Sequence, residues 1–220
     1  MRATMNPQQV IDHFTATFGD KISDTRITER GEGVKKIPQR SVWMRVPREI
    51  IVDAVKELTT IDYPHLGVIS AVDTGDLIEL LYHMQIFFGG KHEEINIIFT
   101  VPVPKSDPHV PTITGVIPGA VYTEREKQDM IGVMIDGIPD SRRIFLPADF
   151  PQGIFPWRKD ETGIPDTMVK ELWRVGRPED RPSPAVKVVE KPEKPAIPTP
   201  DSSVADTDKM GEQTAGDKNE

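Results

Sequence analysis

The chain contains no cysteine. That single absence excludes disulfides, thiolate ligands for an iron–sulfur cluster and a thiol nucleophile. Positive charge is also in deficit, with 27 Lys and Arg against 35 Asp and Glu and a net charge of −8. Such a balance argues against a protein that neutralises nucleic-acid phosphates or rests on anionic lipid. No run approaches the roughly 20 apolar residues that a membrane-crossing helix requires. The opening MRATMNPQQVIDHF has neither a long apolar stretch nor the small-residue cleavage pattern of a secretory signal. The expectation is a cytoplasmic protein, peripheral to a membrane through other chains, with no nucleic-acid partner and no membrane insertion of its own.

Catalytic signatures are missing as well. There is no Gly-x-Ser-x-Gly elbow, Walker loop or dinucleotide fingerprint, and His13, His65, His83, His92 and His109 are scattered without metal-ligand spacing. This chain is therefore expected to bind no metal and no cofactor and to have no active site of its own.

What is present reads as an α+β domain with appendages. Asn6 and Pro7 open a helix with Val10, Ile11, Phe14 and Phe18 on one face. Ser23 to Val46 reads as a hairpin around Gly31 to Gly33 or as two successive strands, and Trp43 is expected in the core. Pro47 introduces a second amphipathic helix, Arg48 to Thr60. Three β-rich runs follow, His65 to Val72, Leu77 to Phe88 and Glu94 to Val103, separated by strong turn residues. The simplest assembly is a two-layer sandwich, an antiparallel sheet with helices on one face, followed by a long irregular C-terminal extension. We divide the chain into a core at 1–105, an extended segment at 106–176 that packs on the core and on partners, and a tail at 177–220. Short helices are expected at Thr123 to Met130 and Asp166 to Val175. The tail is dominated by Pro, Lys, Glu, Asp and Ser, too polar to offset its ordering entropy alone, so it is disordered or ordered only by a partner.

Two polar clusters stand out in the extended segment. The first is Tyr122-Thr-Glu124-Arg125-Glu126-Lys-Gln-Asp129, in which Arg125 and Asp129 are spaced for a helical ion pair; its carboxylates serve acid–base work only where their environments split their pKa values, and a solvated or structural role is the commoner one. The second joins Arg142, Arg143, Arg158 and Lys159 to Ile144, Phe145, Leu146, Phe150, Phe155 and Trp157. Guanidinium groups there are suited to clamping an anion. Arginine interleaved with aromatics also suits a protein–protein contact, and no glycine-rich phosphate loop accompanies it.

Read as linked blocks, this segment resembles the 30 kDa-type subunit of NADH-quinone oxidoreductase (respiratory complex I, NADH dehydrogenase), together with its counterpart in membrane-bound energy-converting hydrogenases. The blocks are Tyr122-Thr-Glu-Arg-Glu126, Asp129-Met-Ile-Gly-Val133, Gly137-Ile-Pro-Asp-Ser-Arg-Arg143, Leu146-Pro-Ala-Asp-Phe150 and Pro156-Trp-Arg-Lys-Asp160. Val68-Ile-Ser-Ala-Val-Asp73 and Glu79-Leu-Leu-Tyr-His-Met84 extend the likeness, which covers roughly residues 52–160. Ile131, Ile138, Tyr122 and Phe150 depart from the family's usual residues and suggest a divergent branch. The resemblance implies a non-catalytic subunit that supports a large catalytic subunit and a small iron–sulfur subunit, the clusters residing in those partners. It also implies that Glu124, Arg125, Glu126, Asp129, Arg142, Arg143, Trp157, Arg158, Lys159 and Asp160 form a structural and interface network. The alternative is a stand-alone enzyme or anion-binding protein using Glu124 to Asp129 with Arg142, Arg143 and Arg158.

Overall fold

The computed structural model describes residues 4–90 and 92–168. Its first helix, α1 (Pro7–Phe18), begins where Asn6 caps it. The Asn6 side chain accepts from the Gln9 amide while the Gln9 side chain accepts from the Asn6 amide, so two otherwise orphan donors are satisfied reciprocally. Strands β1 (Ser23–Glu32) and β2 (Ile37–Arg45) then form an antiparallel hairpin, its turn passing through Gly33 at φ +68°. A short 3₁₀ turn after Pro47 leads into α2 (Ile51–Ile61), which buries Ile51, Ala54, Val55 and Leu58.

Strands β3 (His65–Asp73), β4 (Leu77–Ile86) and β5 (Ile95–Pro104) are the expected meander. The five-stranded sheet has the order β1-β2-β5-β4-β3. The α+β class is thus observed, with one difference inside the sheet. β2 and β5 run parallel, Val42 beside Ile97 and Met44 beside Phe99. A parallel neighbour needs a long crossover, and α2 with β3 and β4 supplies it.

One sheet face forms the core. Val42 and Met44 from β2, Ile78 to Ile86 at every second position of β4, and Ile95, Ile97, Phe99, Val101 and Val103 from β5 join residues of α1 and α2 in a single cluster. Phe14 of α1 meets Phe99 at 5.5 Å between ring centroids, and His13 of α1 bonds Glu57 of α2 at 2.6 Å. Each such apolar side chain, fully buried, contributes about 1.5–3 kcal/mol. Trp43 does not join them. It has the opposite parity from Val42 and Met44, so the pleat turns it to the other sheet face, in register with Ile98 and Arg26. The expectation of a core tryptophan fails because alternation places only one parity of a strand inside.

Beyond β5, the short strands β6 (His109–Pro111) and β7 (Met134–Asp136) pair in parallel around α3 (Ala120–Ile131). α3 starts three residues before the expected Thr123. It lies along the outer edge of β3, where the Thr123 hydroxyl accepts from the Ile69 amide at 3.0 Å and lies 3.3 Å from its carbonyl. An open strand edge is thereby covered. Residues 137–165 carry no helix or strand, and a helix begins at 166–168. The remainder of the helix expected at Asp166 to Val175, and the whole tail, lie outside the described residues.

Candidate interface site

α3 buries a stripe of Ala120, Glu124, Lys127 and Ile131, spaced at four, three and four residues. Two of these are charged, and each has an answer. The Glu124 carboxylate accepts from the Thr112 hydroxyl at 2.6 Å and the Ile113 amide at 2.8 Å. Burial raises its pKa, and those two bonds oppose the rise. Lys127 reaches Glu126 at 2.5 Å and sits 4.7 Å from the centre of the Trp157 ring. Desolvation lowers its pKa, with Glu126 opposing.

The opposite side of α3 holds the first part, about residues 140–146, of the segment 137–163, which we call the strap. Asp129 accepts from three successive amides, Ile144 at 2.7 Å, Phe145 at 3.0 Å and Leu146 at 3.4 Å. Arg125 donates to the carbonyls of Arg142 and Arg143 and pairs with Asp140 at 3.2 Å. The Arg125–Asp129 ion pair suggested by their spacing is replaced by these contacts, because backbone groups of the strap reach both side chains first. Arg143 donates to the carbonyls of Pro147 and Phe150, closing the strap on itself. Arg142 is exposed and pairs with Asp140, whose carboxyl its side chain holds well below the usual range.

At the far end of α3 the strap returns to the helix. Arg158 donates to the carbonyl of Ile131 at 2.6 Å and contacts that of Gly132, capping the orphan acceptors of a helix C-terminus. Gly132 itself sits at φ +72°, and a Cβ there would come within 2.6 Å of the Phe155 ring. Only glycine meets both demands. The Trp157 amide donates to the Met130 carbonyl at 2.8 Å.

The last anchor joins the strap to the sheet. Lys105, just past β5, lies between Asp73 at 2.8 Å and Asp160 at 2.5 Å, and Lys159 donates its amide and its ammonium to Asp73. Burial would raise the Asp73 carboxyl, but Lys105 and the amides of Lys159 and Gly75 hold it down at about 2. Lys105 and Thr162 likewise hold Asp160 well below the usual range. Asp73 and Lys105 were missed from sequence, since Asp73 stands beside a turn and reads as turn chemistry, while a single lysine after Pro104 has no local signature.

The structure places nine of the ten residues singled out from sequence in internal contacts: Arg125, Asp129, Arg143, Arg158, Lys159 and Asp160 fasten the strap, Glu124 holds α3 to the Thr112–Ile113 backbone, and Glu126 and Trp157 meet Lys127. The tenth, Arg142, is exposed and pairs only with Asp140. The basic residues do not converge on one empty site: the donors of Arg143 and Arg158 address backbone carbonyls and those of Lys159 address Asp73. Several large apolar side chains stay open on this side. Tyr122 and Phe145 are 64% and 60% exposed, with Ile144 and Trp157 partly so.

From the end of β2 through the strap, the chain matches a known profile. The profile of the respiratory-chain NADH dehydrogenase 30 kDa subunit matches residues 44–166, more than half of the chain. The chain belongs to that family. A family relative, the beta subunit of the membrane-bound hydrogenase of Pyrococcus furiosus, is 36% identical over 130 residues, covering 59% of this chain and 75% of its own. The C-type subunit of the NADH-quinone oxidoreductase of Herpetosiphon aurantiacus is 27% identical over 159 residues, covering 72% and 83%. Among solved structures, a chain of the archaeal membrane-bound sulfane sulfur reductase aligns with a TM-score of 0.60 over 80% of this chain and 95% of its own. At 21% identity that likeness speaks for the fold. As a complex I 30 kDa-like chain, the protein is part of a multisubunit assembly of the quinone-oxidoreductase or membrane-bound hydrogenase kind. No helix among the described residues is long and apolar enough to cross a membrane.

Proposed function

We propose that this chain is a non-catalytic subunit of the hydrophilic arm of a complex I-like, membrane-associated oxidoreductase, supporting assembly of a large catalytic subunit and a small iron–sulfur subunit. The carrying observation is the strap. Asp129 and Arg158 tie it to α3, and it leaves exposed the large apolar side chains of Ile144, Phe145 and Trp157, residue types that anchor protein contacts. Electron transfer and ion translocation belong to the partners in this reading, and so do the iron–sulfur clusters, because a chain without cysteine supplies no thiolate ligand. Its place is the cytoplasmic side of the membrane, held there by the complex.

The test is affinity purification of the tagged full chain from membranes in gentle detergent, with mass spectrometry of what accompanies it. Recovery of a large catalytic and an iron–sulfur subunit is the expected result, and their identities distinguish the quinone branch from the hydrogenase branch. Recovery of the chain without redox proteins overturns the reading.

A further inference from the structure

One arginine stands apart from the contacts that fasten the strap. Along the strap-facing side of α3, Tyr122, Arg125 and Asp129 follow one another at spacings of three and four residues, about 10 Å from first to last. Residues 142 and 143 lie over Arg125, and residues 144–146 lie over Asp129. Arg142, its side chain 84% exposed, is thereby placed on the stretch of surface between Tyr122 and Phe145, both of them mostly open to water. Tyrosine, arginine and phenylalanine side by side are residue types enriched where proteins meet.

The bond that Arg142 makes is exchangeable. Its Nε and Nη2 grip the two oxygens of Asp140, each at 2.9 Å, and its Nη1 has no partner among the described residues. Arg125 also holds Asp140, at 3.2 Å through Nη1, and is itself pinned by the carbonyls of Arg142 and Arg143. The Arg142 amide adds a bond to Asp140 at 3.1 Å. When the Arg142 fork swings away, Asp140 keeps a cation and an N–H. The carboxylates of α3 are answered too, Glu124 by Thr112 and Ile113, Glu126 by Lys127 and Asp129 by three strap amides. Departure of Arg142 therefore leaves no charge alone, and an ion pair open to water costs little to break.

We infer that the Arg142–Asp140 pair is a placeholder: on assembly Arg142 turns to a carboxylate of a partner polypeptide whose apolar side chains cover Tyr122 and Phe145, and Arg125 keeps Asp140. The inference rests on the functional reading above and names the chemistry that the partner brings to the strap. Covering the two aromatic rings excludes water from the new pair, and a guanidinium fork meets a carboxylate with two parallel bonds. A lipid phosphate suits the place less well. A chain of net charge −8 is repelled by an anionic membrane surface, and it offers here one exchangeable guanidinium instead of a basic cluster.

The experiment uses the tagged full chain in its native host, purified from membranes in gentle detergent. Arg142→Glu should lower the partner subunit recovered per chain at least tenfold. Lys35→Glu, an equal change of charge on the exposed β1–β2 turn, should leave recovery unaltered, and the thermal midpoint of either purified variant should stay within a few degrees of the parent. Arg142→Lys keeps the charge and supplies an amine for a zero-length carbodiimide, which joins amine to carboxyl with loss of water. Mass spectrometry should then find an amide between position 142 and an Asp or Glu of the partner. The absence of any adduct beyond Asp140, or recovery indifferent to Arg142→Glu, overturns the inference. Redox subunits recovered equally with the parent and with Arg142→Glu retire the exchange alone. An adduct at position 142 to a polypeptide that accompanies no redox subunit retires the functional reading alone.

Discussion

Neutralising Asp73 tests how the strap is tied to the sheet. This carboxyl is 1% exposed and answers Lys105 and Lys159 together, so Asp73→Asn should cost about 2–3 kcal/mol in a denaturant titration at neutral pH. Its folded pKa, about 2, lies below the ordinary value of 3.8. The stabilisation is thus complete above about pH 4 and is lost as pH falls through 2. Thermal melts from pH 6 to pH 2 should show a smaller acid loss for Asp73→Asn than for the parent, and identical slopes would remove Asp73 as a source of acid sensitivity. Gly132→Ala combines a left-handed backbone with a collision against Phe155, and a loss of about 2–4 kcal/mol in the same titration is expected. At this scale sequence reading separated Arg125 and Asp129 as important polar groups but not their partners. Asp129 meets amides 15 to 17 residues away, and Lys105 meets a carboxylate 55 residues away, distances that no local spacing encodes.

α3 shows why an element can be half legible. Its buried stripe keeps helical spacing, yet Glu124 and Lys127 occupy two of the four positions, so hydrophobic periodicity reports a solvated helix. α1, α2 and the meander strands were readable because capping residues, turn glycines and apolar alternation all agree with the fold. The strap has no periodicity to read, since hydrogen bonds from α3 rather than repeating local bonds fix its path. Asp129→Ala should release it selectively. Amides 144–146 should exchange with deuterium about thirty-fold faster, roughly 2 kcal/mol of lost charge-assisted bonding, while those of β4 and β5 stay protected. Equal acceleration throughout the sheet would show that Asp129 supports the whole fold.

Across the whole molecule, the family blocks and the missing cysteines were readable from sequence, and the sheet order was not. Hairpins join neighbours along the chain, but β2 meets β5 across some 55 residues. That single parallel junction also orders events in time. During synthesis the β1–β2 hairpin emerges first and finds no sheet to join. α2, β3 and β4 can begin to gather, yet the hairpin waits until residues 95–104 leave the ribosome and β5 slots between β4 and β2. A nascent chain arrested before β5 should therefore expose both the apolar face of β2 and the unpaired side of β4, the most aggregation-prone moment in this protein's life.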